Sequence, residues 1–252
     1  MNDAPRDPMR AAQAAMRPAA VKRFFREASV GEVEGGFALL LDGRRARTPA
    51  RKPLVLPSRA LAELVAAEWA GQGETIEPAK MPLTRLANSA LDGVARTLAE
   101  TRAEIAGYAA ADLLCYRAAA PEALIAAEAV AFDPVLAWAG EALGAKLLVA
   151  EGVVHLRQPE GAIQAVRAAL DAFHSPFALA ALHVMTSLTG SVLLALAVAR
   201  GRSSAEEAWR IAHVAEDFQI AQWGEDAEAE ARRAARRRDF EAAAQVIAAR
   251  RG

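Results

Sequence analysis

The residues with the clearest potential for chemistry lie at 209–226, WRIAHVAEDFQIAQWGED, and the chemistry that they favour is binding. At 3.6 residues per turn, Ile211 and Phe218 share one face of a predicted helix, whereas Trp209, Glu216 and Trp223 share the other. Tryptophans beside a carboxylate are typical of protein interfaces, because aromatic side chains anchor a partner. The alternative is a helix that is buried on both faces, with Glu216 as a paired acid.

Motifs for covalent catalysis or metal binding do not occur in the sequence. It contains no glycine-rich phosphate loop, dinucleotide fingerprint, zinc helix motif or nucleophile elbow. Its four histidines are dispersed, and its single cysteine, Cys115, excludes an internal disulfide and a metal site built on thiolates. Asp112, Tyr116 and Arg117 could form a polar site, although a hydrogen-bonded helix end explains them too. We therefore expect a protein that is not an enzyme and that uses no cofactor or metal.

Two basic clusters raise the question of an anionic partner. The net charge of −1 gives no overall attraction to nucleic acid or to a membrane. The first cluster follows a predicted hairpin turn, where positive side chains commonly protect a strand edge, and an anion site is the alternative. The second lacks interleaved aromatic residues, which favours a solvated face or a rim that steers an acidic partner over RNA binding. The clusters are Arg44, Arg45, Arg47, Arg51 and Lys52, and Arg232, Arg233, Arg236, Arg237 and Arg238.

The elements that position these residues predict an α+β fold, a small N-terminal β domain followed by a larger, mostly α-helical domain. Residues 1–20 read as a disordered tail, and 21–57 as a β domain with a hairpin turn at Asp42-Gly43. Residues 58–252 are helical in pattern, with a short β-hairpin near 146–156. Local signals predict helix starts at Ser58, Pro82, Pro121, Pro134 and Ser203, and a helix end at Gly71.

The stretch from Pro176 to Ala199 has no charged residue and is long enough to span a bilayer. Polar and small side chains in its middle, including Thr186 and Ser191, favour a central helix that neighbouring helices cover. We therefore expect a buried core helix and no stable membrane insertion, with a single membrane span as the alternative.

Several motifs, taken together and in order, resemble the ATP-twelve chaperones, also called ATP synthase assembly factor 2. The resemblance covers about residues 21–245, and the lack of a convincing mitochondrial presequence favours the α-proteobacterial branch of that family. The motifs are KRFFREASV, GGFALLLDGRRARTP, LPSRALAELVAAEWAGQGETIEPAKMPLTRLANSALD, YAAADLLCYRA, FDPVLAWA, GSVLLALAV and EDFQIAQWGEDAEA.

The resemblance implies an ATP-independent assembly chaperone. Such a protein binds the unassembled α subunit of the catalytic sector of F-type ATP synthase and prevents its aggregation until it pairs with β. We expect a bacterial cytoplasmic protein, because the N-terminus lacks a secretory or convincing mitochondrial signal. We also expect a monomer. An enzyme with a site between the two domains is the alternative. The residues implied in partner binding are Glu216, Asp217, Gln219, Trp223, Glu225 and Asp226.

Overall fold

Short β-strands come early in the chain and helices dominate the rest, which confirms the predicted α+β class. The computed structural model describes residues 21–152 and 156–249, and the predicted N-terminal tail lies outside these ranges. The strands are β1 (Val21–Lys22), β2 (Ala28–Val33), β3 (Gly36–Leu41), β4 (Arg44–Arg45), β5 (Val55–Leu56), β6 (Thr75–Ile76), β7 (Tyr116–Arg117) and β8 (Ala150–Glu151).

A four-stranded antiparallel sheet forms the N-terminal part, with β3 paired to β2, β4 and β5. The predicted hairpin turn at Asp42-Gly43 is confirmed, since both residues have positive φ angles, 48° and 75°. The Asp42 carboxylate also accepts hydrogen bonds from the backbone of Arg26 and Glu27, at 2.9 and 2.8 Å. These two bonds lower the pKa of Asp42. The turn therefore fixes the start of β4 against the segment that leads into β2.

Ten α-helices follow within the described residues. Four predicted boundaries are confirmed: Ser58 caps α1 by accepting from the Leu61 backbone, α1 ends at Gly71, α2 begins at Pro82, and α4 begins directly after Pro121. The helices are α1 (Arg59–Ala70), α2 (Pro82–Asp92), α3 (Leu98–Gly107), α4 (Glu122–Trp138), α5 (Glu160–Asp171), α6 (Pro176–Thr189), α7 (Val192–Arg200), α8 (Ala205–Ala212), α9 (Val214–Trp223) and α10 (Ala227–Ala248).

Two predicted helix starts differ from the structure. Pro134 lies inside α4 and does not begin a new helix, so that prediction was wrong. The cap of α8 is Ser204, which accepts a hydrogen bond from the Glu207 backbone, one residue after the predicted Ser203. The cap of α8 was missed by one residue because Ser203 and Ser204 are adjacent and either side chain can cap a helix.

The uncharged stretch from Pro176 to Ala199 is buried, which confirms its predicted place in the core, but it forms two helices and not the single helix that was predicted. α6 ends at Gly190, whose φ of 71° is the left-handed conformation that suits glycine, and α7 begins two residues later. A different stretch, Glu122–Leu143, has the length and hydropathy of a membrane span, with 22% of it buried. Apolar helices of proteins outside membranes also satisfy these two criteria.

The buried side chains of the sheet and of the helices belong to one continuous cluster, which includes Leu39 of β3 and Leu182 of α6. β6 pairs with β1 and so brings residues 75 and 76 back to the start of the described chain. The division into domains at residue 57 stays a prediction. β8 pairs in parallel with β7, and the return arm of the hairpin predicted near 146–156 falls partly on residues outside the described ranges.

A fully buried carboxylate, Asp112, holds the break between α6 and α7. Its Oδ2 accepts a hydrogen bond from the backbone of Leu193 at 3.2 Å, in the first turn of α7. Its Oδ1 accepts one from Leu114 at 3.1 Å, and the Leu113 backbone donates to the Gly190 carbonyl at 3.0 Å. Asp112 therefore joins the loop after α3 to the start of a helix in the core.

Replacing Asp112 with alanine is expected to lower the free energy of unfolding by about 2–6 kcal/mol. Two backbone N–H groups would lose their acceptor in a dry interior, at roughly 1–3 kcal/mol each. Urea unfolding measures this change. Glu63→Ala removes an exposed carboxylate of α1 and is the matched control, with an expected change within about 0.5 kcal/mol. Equal stability of the two variants would contradict the assignment.

Burial also raises the pKa of Asp112 from 3.8 to about 6, against the opposing effect of its hydrogen bonds. The folded chain therefore binds this proton more tightly than the unfolded chain does. The resulting stabilisation is complete below pH 3.8 and is lost as the pH rises through about 6. We expect Asp112→Asn to flatten the profile of unfolding free energy against pH in this window. A profile as steep as that of the parent would contradict the prediction.

Candidate interaction site

The predicted helix over 209–226 is two helices, α8 and α9, with His213 between them. The His213 ring is buried and stacks on the Trp209 ring at a centroid distance of 3.8 Å. Its Nδ1 lies 2.8 Å from the Trp209 carbonyl oxygen. Burial lowers the pKa of His213, which favours the neutral ring at neutral pH. The break between α8 and α9 therefore lies at a packed aromatic pair, His213 and Trp209.

Trp209 lies in the core, so its assignment to an interface face together with Trp223 was wrong. Only 4% of Trp209 is exposed, and its ring packs against Phe240 of α10 at 5.6 Å. The Ile211 side chain is also buried, as the core-facing pattern predicted. The interpretation as a doubly buried helix therefore holds for α8.

α9 has no fully buried residue, and its last residue, Trp223, is 84% exposed. Gly224 follows with a φ of 84°, and Asp226 then caps α10 by accepting a hydrogen bond from the Ala229 backbone at 2.8 Å. A tryptophan this exposed removes little apolar surface from water and contributes little to folding. Its position at a helix end, beside a fixed turn, suits contact with a partner.

Arg233 of α10 holds α9 in place through two carboxylates. Its guanidinium forms ion pairs with Asp217 and with Glu216, the latter at 3.6 Å between Nε and Oε2. Glu216 also lies 4.0 Å from Nε2 of His213. Both predicted acids thus form ion pairs within the fold. A charge reversal at either one would therefore disturb the packing of α9 on α10 as well as any contact with a bound protein.

A cleft of about 300 Å³ opens beside Trp223, and we call it the Trp223 cleft. Its carboxylates outnumber its single guanidinium, Arg233. Within the described residues the carboxylates of Glu225 and Glu230 have no hydrogen-bond or ion-pair partner, whereas those of Glu216 and Asp226 do. The cleft combines an exposed aromatic ring with unpaired negative charge. The side chains that line it include Glu216, Gln219, Ile220, Trp223, Glu225, Asp226, Glu230 and Arg233.

Five of the six predicted partner-binding residues therefore meet in one place. Asp217 does not line the Trp223 cleft, because it lies in a neighbouring groove of about 360 Å³ together with Trp209 and Arg210. Glu225 borders both. The sequence pattern missed Glu230 and Arg233, although their spacing from Asp226, four and seven residues along a helix, places them on one face.

The residues of the alternative polar site are used in the fold. Asp112 is fully buried in its capping role, and Tyr116 lies in β7. Arg117 pairs with Asp133 at 2.5 Å and lies over the Phe132 ring at 4.7 Å. Among the described residues, no three or more acidic, histidine or cysteine side chains are grouped as metal ligands would be. These positions favour a structural role for Asp112, Tyr116 and Arg117.

Alanine substitution of the two tryptophans should change the free energy of unfolding by very different amounts. Trp209→Ala removes a ring packed between His213 and Phe240 and is expected to cost about 3–5 kcal/mol. Trp223→Ala removes an exposed ring and should stay within about 0.5 kcal/mol of the parent. Differential scanning calorimetry of both variants measures the contrast. A large loss of stability in Trp223→Ala would assign Trp223 to the fold instead of to an interface.

Comparison with known proteins places these features in a family. The model of the ATP12 chaperone protein family matches residues 22–140. A candidate chaperone from Agrobacterium tumefaciens is 49% identical, with a TM-score of 0.88 over 98% of this chain and 92% of its own. Atp12 from Paracoccus denitrificans is 41% identical, with a TM-score of 0.83 over 91% of this chain and 98% of its own, and a mutant of it matches equally well in identity. Both organisms are alphaproteobacteria. This chain belongs to the ATP12 chaperone family.

Proposed function

We propose that this protein is an ATP-independent assembly chaperone that binds the unassembled α subunit of the F-type ATP synthase catalytic sector. The chaperone would act as a monomer in the bacterial cytoplasm. It would hold the α subunit until the β subunit replaces the chaperone. Membership of a chaperone family supports the general role. The observation that carries the proposal is the exposed Trp223 ring in a cleft with unpaired carboxylates.

The physical demands on such a chaperone fit the Trp223 cleft. An unassembled subunit exposes the apolar surface that its partner normally covers, and exposed patches of this kind aggregate. A tryptophan can anchor in such a patch, since a few buried aromatic side chains carry most of the affinity of an interface. Unpaired carboxylates add orientation and a faster encounter with positive charge on the client.

Moderate affinity is a further requirement, because β must displace the chaperone. A small cleft with one large anchor meets this requirement better than an extended apolar surface would. Glu225 and Glu230 are the carboxylates best placed to touch the client. Within the described residues they have no other partner, whereas Glu216 and Asp217 are engaged by Arg233.

Removal of the anchor should weaken client binding without unfolding the chaperone. We expect Trp223→Ala to raise the dissociation constant for purified α subunit about tenfold or more, the loss typical of a central aromatic. Val130→Ala is the matched control, since Val130 is also apolar and 79% exposed, on α4. Light scattering of α subunit during dilution from denaturant, without ATP, measures protection against aggregation.

Reversal of the unpaired charges tests the electrostatic part. Glu225→Lys with Glu230→Lys should weaken the complex and reduce its sensitivity to salt, whereas Glu34→Lys with Glu63→Lys changes the net charge equally at exposed positions elsewhere. An equal loss of affinity in both double variants would show that the Trp223 cleft is not the binding site for the client. Absence of any complex between the parent protein and α subunit, with unchanged aggregation, would overturn the proposed function itself.

A further inference from the structure

A second cleft, of about 520 Å³, lies beside the Asp42-Gly43 turn. Three aromatic side chains and three arginines define it, and we call it the aromatic–arginine cleft. It contains none of the residues of the Trp223 cleft. Its defining residues are Phe24, Phe25, Trp69, Arg44, Arg45 and Arg47.

The aromatic part of this cleft is rigid and open. Phe24 is 65% exposed, and its ring contacts those of Phe25 and Trp69 edge-on, at 5.5 and 6.4 Å. Trp69 is fixed from behind, because its Nε1 donates to Thr84 Oγ1 at 3.1 Å. The Glu68 carboxylate in turn accepts from the Thr84 backbone at 2.8 Å. Phe24 therefore presents a ring to solvent on a support that does not need to rearrange.

The arginines divide into those used by the fold and those left free. Arg47 donates to the Arg51 carbonyl at 3.0 Å, and Lys52 of the same basic cluster donates to Leu91 at 2.5 Å. Arg44 and Arg45 are exposed and, within the described part of the chain, have no hydrogen-bond or ion-pair partner for their guanidinium groups. The carboxylate of Asp42, which also lines the cleft, already accepts two backbone hydrogen bonds.

Protection of a strand edge explains only part of this arrangement. β4 is an end strand of the sheet, so its arginines do discourage pairing with another sheet. That role requires charge alone. An exposed phenylalanine next to the charges would weaken it, because apolar surface at an edge promotes association. The combination instead matches a surface that binds a partner through an aromatic anchor and charge complementarity.

We infer that the aromatic–arginine cleft binds an acidic, extended segment of a partner protein. An aromatic or aliphatic side chain of the segment would pack on Phe24 and Trp69, while its carboxylates pair with Arg44 and Arg45. Guanidinium groups suit this role because they bind carboxylates in a bidentate manner. The first twenty residues of this chain do not complement the cleft, since their three arginines outnumber their two aspartates.

Nucleic acid is the less favoured occupant of the cleft. Single-stranded RNA is bound along a continuous basic groove with repeated stacking platforms, whereas this cleft offers two free guanidinium groups beside one exposed ring. The net charge of −1 also opposes binding to a polyanion. A short acidic segment needs only a local match of charge. The inference does not depend on the identity of the client proposed for the Trp223 cleft.

A labelled peptide tests the inference with the full chain. The probe is a fluorescein-labelled hexapeptide with five glutamate or aspartate residues around one phenylalanine. Fluorescence anisotropy measures its binding. We expect Arg44→Glu with Arg45→Glu to weaken binding about tenfold or more, and Phe24→Ala to weaken it about fivefold. The control, Arg96→Glu with Arg238→Glu, makes the same charge change at exposed positions and should bind as the parent does.

Three further probes decide between outcomes. A peptide with lysine in place of the acids should not bind, and one with alanine in place of phenylalanine should bind more weakly. No binding of the acidic peptide by the parent, or equal loss in the control variant, would overturn the inference. Preferential binding of a uridine dodecamer, lost in the Arg44 and Arg45 double variant, would also overturn it and assign the cleft to RNA. Trp223→Ala should leave peptide binding unchanged, which separates this test from that of the proposed function.

Discussion

A helix break inside an apolar core is the constraint on which the rest of the structure depends. The backbone N–H groups at the start of α7 are cut off from water by the helices around them and must find acceptors in the protein. Asp112 supplies one from a distant loop, and Ser191 supplies a second through its own hydroxyl, which accepts from Leu194 at 3.1 Å. The loop after α3 thus supplies a carboxylate to the stretch from Pro176 to Ala199, which has no charged residue of its own. That carboxylate ties the loop after α3 to the two helices that most of the other helices pack around.

The candidate interaction site depends on a different kind of restraint. α9 buries none of its residues completely, so packing alone holds it weakly. Arg233 compensates by pairing with two successive acids, and Asp226 fixes the turn into α10 by capping that helix. Partly exposed ion pairs contribute little to global stability, but they can select one orientation of a helix. The ion pairs and the cap therefore fix the position of Trp223, although its own side chain contributes little to the fold.

Local chemistry explains which parts of the fold could be predicted from the sequence. The turn at Asp42-Gly43 and the cap at Ser58 depend on the conformation of a few adjacent residues, so residue type suffices to predict them. The break at His213 carries no glycine or proline, and the periodicity of α8 runs on into α9 almost in register. Burial of Trp209 depends on Phe240, 31 positions later in the sequence, which no local pattern reports. The site was predicted in part for the same reason: Trp223 and its neighbouring acids are contiguous, whereas Arg233 reaches them only through the packing of α10.

The two clefts differ in the charge that they present, and this difference limits what one partner could do. The Trp223 cleft has an excess of carboxylates, and the aromatic–arginine cleft has an excess of guanidinium groups. A segment that complements one is therefore repelled by the other, since like charges brought together in an interface are unfavourable. A single client can occupy both only if it offers a basic patch and an acidic segment at the matching separation. Two unlike contacts of moderate strength would then fix the orientation of the client and raise the overall affinity, and release of either contact would lower it steeply. For the proposed chaperone function, such an arrangement would reconcile secure holding of an aggregation-prone subunit with its displacement by a partner that competes for one contact only.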